Sequence, residues 1–162
     1  MRLNEYSAYK LHEVGEKIIL AEIEGKVVGA AYLRNSSSSS IFKILRVYLP
    51  GIIKLIFPVL KAMNLRRIIK AGKSFKTDKI PADRYYTLEV IGVDKKYRGQ
   101  GIARMLLEEA EKVVRTVENV EGIYLYTASK TTKDIYSHLG YQLIDKKLND
   151  NLTIYHMFKQ VS

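Results

Sequence analysis

Residues 90–103, VIGVDKKYRGQGIA, hold the arrangement best suited to chemistry in this chain. An apolar, β-branched run passes through a turn bearing Gly99 and Gly101 into a stretch with helical spacing. At such a junction the first backbone N–H groups of the helix lack intrahelical partners and point outward at the positive end of the helix dipole. The result is an anion site, suited to a phosphate or pyrophosphate. Gly99 and Gly101 admit a ligand close to the backbone, and Arg98 and Arg104 add charge. A glycine turn before a helix is common, so the same residues also read as a plain turn and helix cap. The glycine spacing excludes a dinucleotide GxGxxG, and the missing Gly-Lys-Ser/Thr ending excludes a Walker loop.

Glu89 is the second candidate. On a strand over 84–93, Tyr85, Thr87, Glu89, Ile91 and Val93 share one face. A mid-strand carboxylate among apolar neighbours suits a general base, because partial burial raises a carboxyl pKa toward the useful range. The alternative is a salt-bridged or solvent-facing residue of a half-exposed strand.

Composition removes other chemistries. There is no cysteine, which excludes a disulfide framework, a zinc ribbon and a thiol nucleophile. Three widely spaced histidines (His12, His138, His156) give poor support to a metal site, and none is expected. A chain of 162 residues, with 47% hydrophobic and 27% charged, fits one domain spanning 1–162. The first residues are polar and mixed in charge, without an apolar leader segment, and a cytoplasmic address is expected.

The elements that must position these residues follow from pattern. Two apolar runs in 17–33 flank Glu24-Gly25-Lys26, which predicts a hairpin. Ser36–Ser40 predict a flexible loop. Residues 41–71, broken by Pro50, Gly51 and Pro58, predict two helical pieces with a break near 49–51 and a kink or second break near 58. Residues 84–93 predict a central strand, followed by a helix in which Ile102, Met105, Leu106, Ala110 and Val113 fall on one face. A strand at 122–127, a short helix at 131–139 stopped by Gly140, and two strands near 141–147 and 152–159 joined by Asn149-Asp150-Asn151 complete the chain. This is an α/β protein with a mixed sheet.

On these motifs the chain resembles the GNAT acetyltransferases. Arg98-Gly99-Gln100-Gly101-Ile102-Ala103 fits their Arg/Gln-x-x-Gly-x-Gly/Ala signature. The run from Tyr86 to Asp94 into Arg98-Gly99-Gln100-Gly101 is similar to the puromycin N-acetyltransferase-like branch. Asp134-Ile135-Tyr136-Ser137-His138-Leu139-Gly140-Tyr141 resembles the family's second signature, a tyrosine followed by Leu-Gly-Phe. The likeness covers roughly 17–33 and 84–159 and implies the GNAT fold: a twisted, mostly antiparallel sheet flanked by helices, here with a basic helical insert.

The resemblance implies acetyl-CoA as cosubstrate and an N-acetyltransferase that passes the acetyl group directly to an amine in a ternary complex. The pyrophosphate would lie on the amides of Gly99, Gln100, Gly101, Ile102, Ala103 and Arg104. The pantetheine arm would lie beside Ile91, Gly92 and Val93, and an amide near Val90 or Ile91 would polarise the acetyl carbonyl. Tyr136 is nominated as the acid that protonates the leaving thiolate, although most of the chain's twelve tyrosines must be structural. Glu89, or an ordered water, would be the base. Ser129 and Thr132 stand where the family usually has asparagine and alanine; Ser129 could still hydrogen-bond the pantetheine arm. The acceptor would be a small-molecule or peptide amine.

The net charge of +10 is concentrated. Residues 41–79 alone carry +9. A helical lid with solvated lysines, an electropositive funnel for phosphates or an anionic acceptor, and peripheral contact with a membrane surface all fit this segment. No recognition motif supports nucleic acid. The alternative to an enzyme is a non-catalytic GNAT-fold module binding a CoA thioester, a membrane or a nucleic acid.

Overall fold

A computed structural model of the chain describes residues 6–9, 16–37, 75–149 and 152–161. The helical pieces expected within 41–71 lie outside the described residues, as do most of the serine run and the middle of the last expected turn.

One seven-stranded sheet carries the fold. Its strands are β1 (Tyr6–Tyr9), β2 (Lys17–Ile23), β3 (Lys26–Asn35), β4 (Tyr85–Val93), β5 (Gly122–Thr127), β6 (Gln142–Asn149) and β7 (Leu152–Gln160). They lie in the order β1-β2-β3-β4-β5-β7-β6, so β4 is central as expected. Only β4 and β5 are parallel; every other neighbouring pair is antiparallel. Strand β1 was not expected, since a four-residue edge strand in a polar context leaves no period to read. The β2–β3 hairpin turns at Glu24 and Gly25, both at positive φ, as the sequence predicts.

Among the described residues two α-helices flank the sheet: α1 (Ile102–Arg115) and α2 (Lys130–His138). α1 buries Ile102, Leu106, Leu107, Ala110, Glu111 and Val114. The buried face is therefore rotated from the expected one. Met105 and Val113 stand at its margins, because Leu107 turns inward to the core shared with α2. The buried Glu111 is paired with Lys159 Nζ at 2.6 Å, so its charge is compensated. α2 ends as predicted at Gly140, whose φ of 88° lets Tyr141 N–H return to the Tyr136 carbonyl at 3.0 Å.

The helix-side core gathers Ile19, Ala31, Leu33, Tyr86, Leu88, Leu106, Ile123, Leu125 and Met157. Tyr124, His156, Ile154 and Phe158 are also buried, but on the alternate positions of β5 and β7, facing away from the helices. The two sides of the sheet thus have different chemistry, and that division places the site. No helix among the described residues is long and apolar enough to cross a membrane.

Candidate active site

The key geometric feature is a divergence of strands. β4 has nine residues, yet only Tyr85, Tyr86 and Thr87 pair with β5. Beyond them β5 continues to pair with β7, and residues 89–93 show the β5 side an unpaired edge. Unpaired strand N–H and C=O groups are ready partners for an extended, amide-bearing ligand.

A bulge sits where the divergence starts. Leu33 faces Leu88 and Tyr32 faces Val90, so Glu89 is an extra residue in the ladder. A bulge reverses the alternation beyond it. Tyr86 and Leu88 face the helices, and so do Ile91 and Val93. The expectation that Glu89, Ile91 and Val93 share a face with Tyr85 and Thr87 is therefore corrected: Ile91 and Val93 lie on the helix side, Glu89 on the other.

On the helix side, Ile91, Ala103, Leu107, Thr132, Ile135, Tyr136 and Leu139 line a mostly apolar groove of about 400 Å³, with Arg104 and His138 at its rim. At one end lies the glycine turn. Gly99 and Gly101 both have φ 78°, a conformation glycine adopts without strain, and nothing stands within 4 Å of where a side chain would project. Gly101 caps α1 with no side-chain hydrogen bond, and the first turn of α1 has no acid. The helix instead carries Arg104 there, against the sense of its own dipole. A cation at a helix N-terminus disfavours the isolated helix and favours a bound anion. Arg98 Nε is tied to the Val93 carbonyl at 3.2 Å, which fixes its side chain beside the turn. These residues fit the pyrophosphate and pantetheine of acetyl-CoA.

Tyr136 is 8% exposed, lines the groove, and packs on Tyr141 with ring centroids 5.6 Å apart. Burial pushes its hydroxyl above the ordinary tyrosine value, so it stays protonated at neutral pH. Ser129 caps α2, its hydroxyl accepting the Thr132 N–H at 3.2 Å. Ser129 thus serves the helix, while Thr132 lines the groove.

On the other side, Tyr85, Thr87, Glu89, Tyr124, Tyr126 and Arg34 form the floor of a second cavity of about 410 Å³, closed by 75–80 through Phe75, Lys76, Thr77 and Ile80. Phe75 packs on Tyr126 at 5.4 Å, and Tyr85 meets Tyr124 edge-on at 5.9 Å. Glu89 takes the salt-bridged alternative that the sequence left open: Arg34 Nε and Nη2 reach one carboxylate oxygen at 2.8 and 2.5 Å. Tyr32, on the same strand as Arg34, is pushed up to about 12 by burial and by the nearby Glu16 carboxylate. Segment 75–80 is held down by Asp145, which accepts from Thr77 Oγ1 at 2.8 Å and Lys79 Nζ at 2.9 Å.

The structure brings Ile91, Ala103, Arg104, Thr132 and Tyr136 together in one groove, with Gly92 and Val93 on the adjoining strand edge and residues 98–102 at its end. Glu89 does not join Tyr136; the sheet lies between them. Sequence reasoning missed Arg34, Tyr124 and Tyr126. The alternation in GIYLYT placed both tyrosines on one face, and that signal was readable. Among the described residues no cluster of His, Asp and Glu is arranged to hold a metal.

Solved structures of acetyltransferases share this fold. The crystal structure of Arabidopsis thaliana NAA60 in complex with acetyl-CoA superposes with a TM-score of 0.54 at 12% identity, over 93% of this chain and 78% of that one. The ribosomal-protein-S18-alanine N-acetyltransferase from Escherichia coli gives 0.56 at 15%, over 91% and 70%. The polyamine N acetyltransferase of Drosophila melanogaster gives 0.55 at 17%, over 88% and 74%. At these identities the likeness is one of fold. No curated protein matches the chain by sequence. The family model described as "Acetyltransferase (GNAT) family" matches residues 2–141. With that match over most of its length, the chain belongs to the GNAT family and is an acetyl-CoA-dependent acetyltransferase of amines.

Proposed function

We propose that the helix-side groove holds acetyl-CoA, that the opposite cavity holds the amine, and that the two meet through the opening between β4 and β5. The carrying observation is that β4–β5 pairing stops after three residue pairs, with the groove on one side of the gap and the cavity on the other.

The uncapped amides of the α1 N-terminus take the pyrophosphate, aided by Arg98 and Arg104. The strand edge at 91–93, which does not pair with β5, lies beside the pantetheine amides, and an amide near Val90 or Ile91 faces the carbonyl oxygen as charge develops on it. A neutral amine then attacks the thioester carbon, the C–S bond breaks, and the Tyr136 hydroxyl donates to the departing sulfur. Holding both reactants in one geometry supplies much of the rate. Glu89 draws the cationic amine into the cavity, and the four aromatic rings around it accommodate the amine and its stem. The acceptor is a primary amine on a small molecule or a peptide. The runs at 86–94 and 98–101 support a place in the puromycin N-acetyltransferase-like branch.

The test is calorimetric titration with acetyl-CoA of the wild type and of an Arg98→Glu, Gly101→Asp double variant. Binding by the wild type, weakened about 100-fold or more in the variant, is expected from loss of charge-assisted contacts. A folded wild type that binds no acetyl-CoA at low salt overturns the assignment.

A further inference from the structure

Behind the wall of the acceptor cavity lies a buried polar contact. Tyr124 lines the cavity, and its hydroxyl oxygen lies 2.6 Å from Nδ1 of His156. His156 is fully buried on β7, with its ring stacked on that of Tyr124 at 12° between planes. Asp145 is its cross-strand partner on β6. The hydrogen bond gives the Tyr124 hydroxyl a ring nitrogen that can accept its proton. Amine acetylation needs such an outlet, since an ammonium must lose a proton before its nitrogen can attack. Glu89, the other basic group at the cavity, already accepts two hydrogen bonds from Arg34.

The geometry points to Tyr124 and His156 as the proton outlet of the acceptor cavity, a role that rests on the acetyltransferase reading and on the amine entering this side of the sheet. With the imidazole hydrogen on Nε2, Nδ1 accepts from the Tyr124 hydroxyl. The bound ammonium passes a proton to the Tyr124 oxygen while the Tyr124 hydrogen moves to Nδ1, leaving a neutral amine, a neutral tyrosine and an imidazolium. The amine lone pair then forms the C–N bond, and the C–S pair leaves with sulfur. The second amine proton balances the thiolate, and His156 returns its proton through the Tyr124 hydroxyl to the cavity between turnovers. Tyr124 touches the acceptor; His156 acts through Tyr124. Among the described residues, the charged and titratable groups around the pair include Tyr85 and Glu89 from β4, Tyr126 from β5, Asp145 from β6, Arg34 from β3 and Lys79 from the covering segment.

The experiment measures thiol release from acetyl-CoA with a panel of primary amines (tyramine, spermidine, glycylglycine and an alanyl peptide) from pH 6 to 10. It uses the wild type, Tyr124→Phe, His156→Gln and the double variant, with acetyl-CoA affinity as a check of folding. At pH 7 each single variant is expected to lose about 100-fold in kcat/KM. The loss should shrink as pH nears the amine's own pKa, where neutral amine arrives from solution. The double variant should be no slower than the singles, because the pair works as one unit. Variants that bind acetyl-CoA and match the wild-type pH profile overturn the outlet and leave the acetyltransferase reading intact. So does a uniform loss at every pH, which marks a merely structural contact. A wild type that binds no acetyl-CoA and releases no thiol with any amine overturns both.

Discussion

Arg34 grips Glu89 across the β3–β4 ladder at the residue where β4 bulges, two guanidinium nitrogens on one carboxylate oxygen. Both side chains are partly exposed, at 31% and 23%, so the pair is open to exchange with a ligand. An entering ammonium competes with Arg34 for the carboxylate. Glu89→Gln is therefore expected to raise the amine KM about tenfold, with kcat changed less than threefold. Arg34→Met frees the carboxylate and should lower the amine KM, at a cost of about 1 kcal/mol in stability. Steady-state kinetics on both variants check this. A collapse of kcat alone in Glu89→Gln would return Glu89 to the role of base.

The glycine turn, the hairpin at Glu24-Gly25 and the stop at Gly140 were legible because each is local: a glycine at positive φ bends the chain whatever lies around it. The faces of β4 were not legible. Alternation put Glu89 with Ile91 and Val93, and only the register against β3 shows the extra residue that separates them. The second cavity was hidden for a similar reason. Its floor comes from β3, β4 and β5 and its cover from 75–80, and no sequence period links them. The partner of Tyr124 is 32 residues away and becomes visible once β7, not β6, is known to lie beside β5. Tyr136 stood out among twelve tyrosines by motif position, and the structure places it in the groove.

Tyr136 should act as a hydrogen-bond donor more than as a full acid. A free thiol has a reference pKa of about 8.5 and a phenol about 10. Burial raises Tyr136 further, so the proton rests on the phenol and the thiolate is stabilised by the contact. Tyr136→Phe is expected to lower kcat about 10- to 100-fold while acetyl-CoA affinity stays within about threefold. No ionisation of Tyr136 should shape the wild-type rate below pH 10. Stopped-flow turnover with calorimetry of each protein decides it; equal losses in kcat and in acetyl-CoA affinity would make Tyr136 a packing residue.

Gly122 opens β5 beneath Phe158. A Cβ there would stand 2.3 Å from the Phe158 ring and 2.4 Å from the Lys159 carbonyl oxygen. The ring can turn a little, but the carbonyl belongs to the β5–β7 ladder and can move only with the strand. Gly122→Ala should cost about 2–3 kcal/mol by overpacking. At this chain length that is a fall in Tm of roughly 4–12 °C. Calorimetric melting reads it, and an unchanged Tm would mean that the strands part there without cost.

Asp145 ties the covering segment 75–80 to the sheet, and its acid behaviour should be visible in stability. Lys79 and then Thr77 hold its carboxyl down to about 2, below the ordinary value near 3.9. A depressed folded pKa means that the native state binds the proton more weakly than the unfolded chain. The stabilisation is therefore complete above about pH 5 and is lost as pH falls from 4 through 2. Lys79 is raised by the same contact, so its share persists until pH climbs past the ordinary lysine range. Asp145→Asn should cost about 1–2 kcal/mol at pH 7, the scale of a hydrogen bond to a charged group. The gap from wild type should narrow steadily between pH 4 and 2. Urea unfolding at a series of pH values measures it, and a gap that stays constant down to pH 2 would mean that the carboxylate charge contributes nothing to holding the segment down.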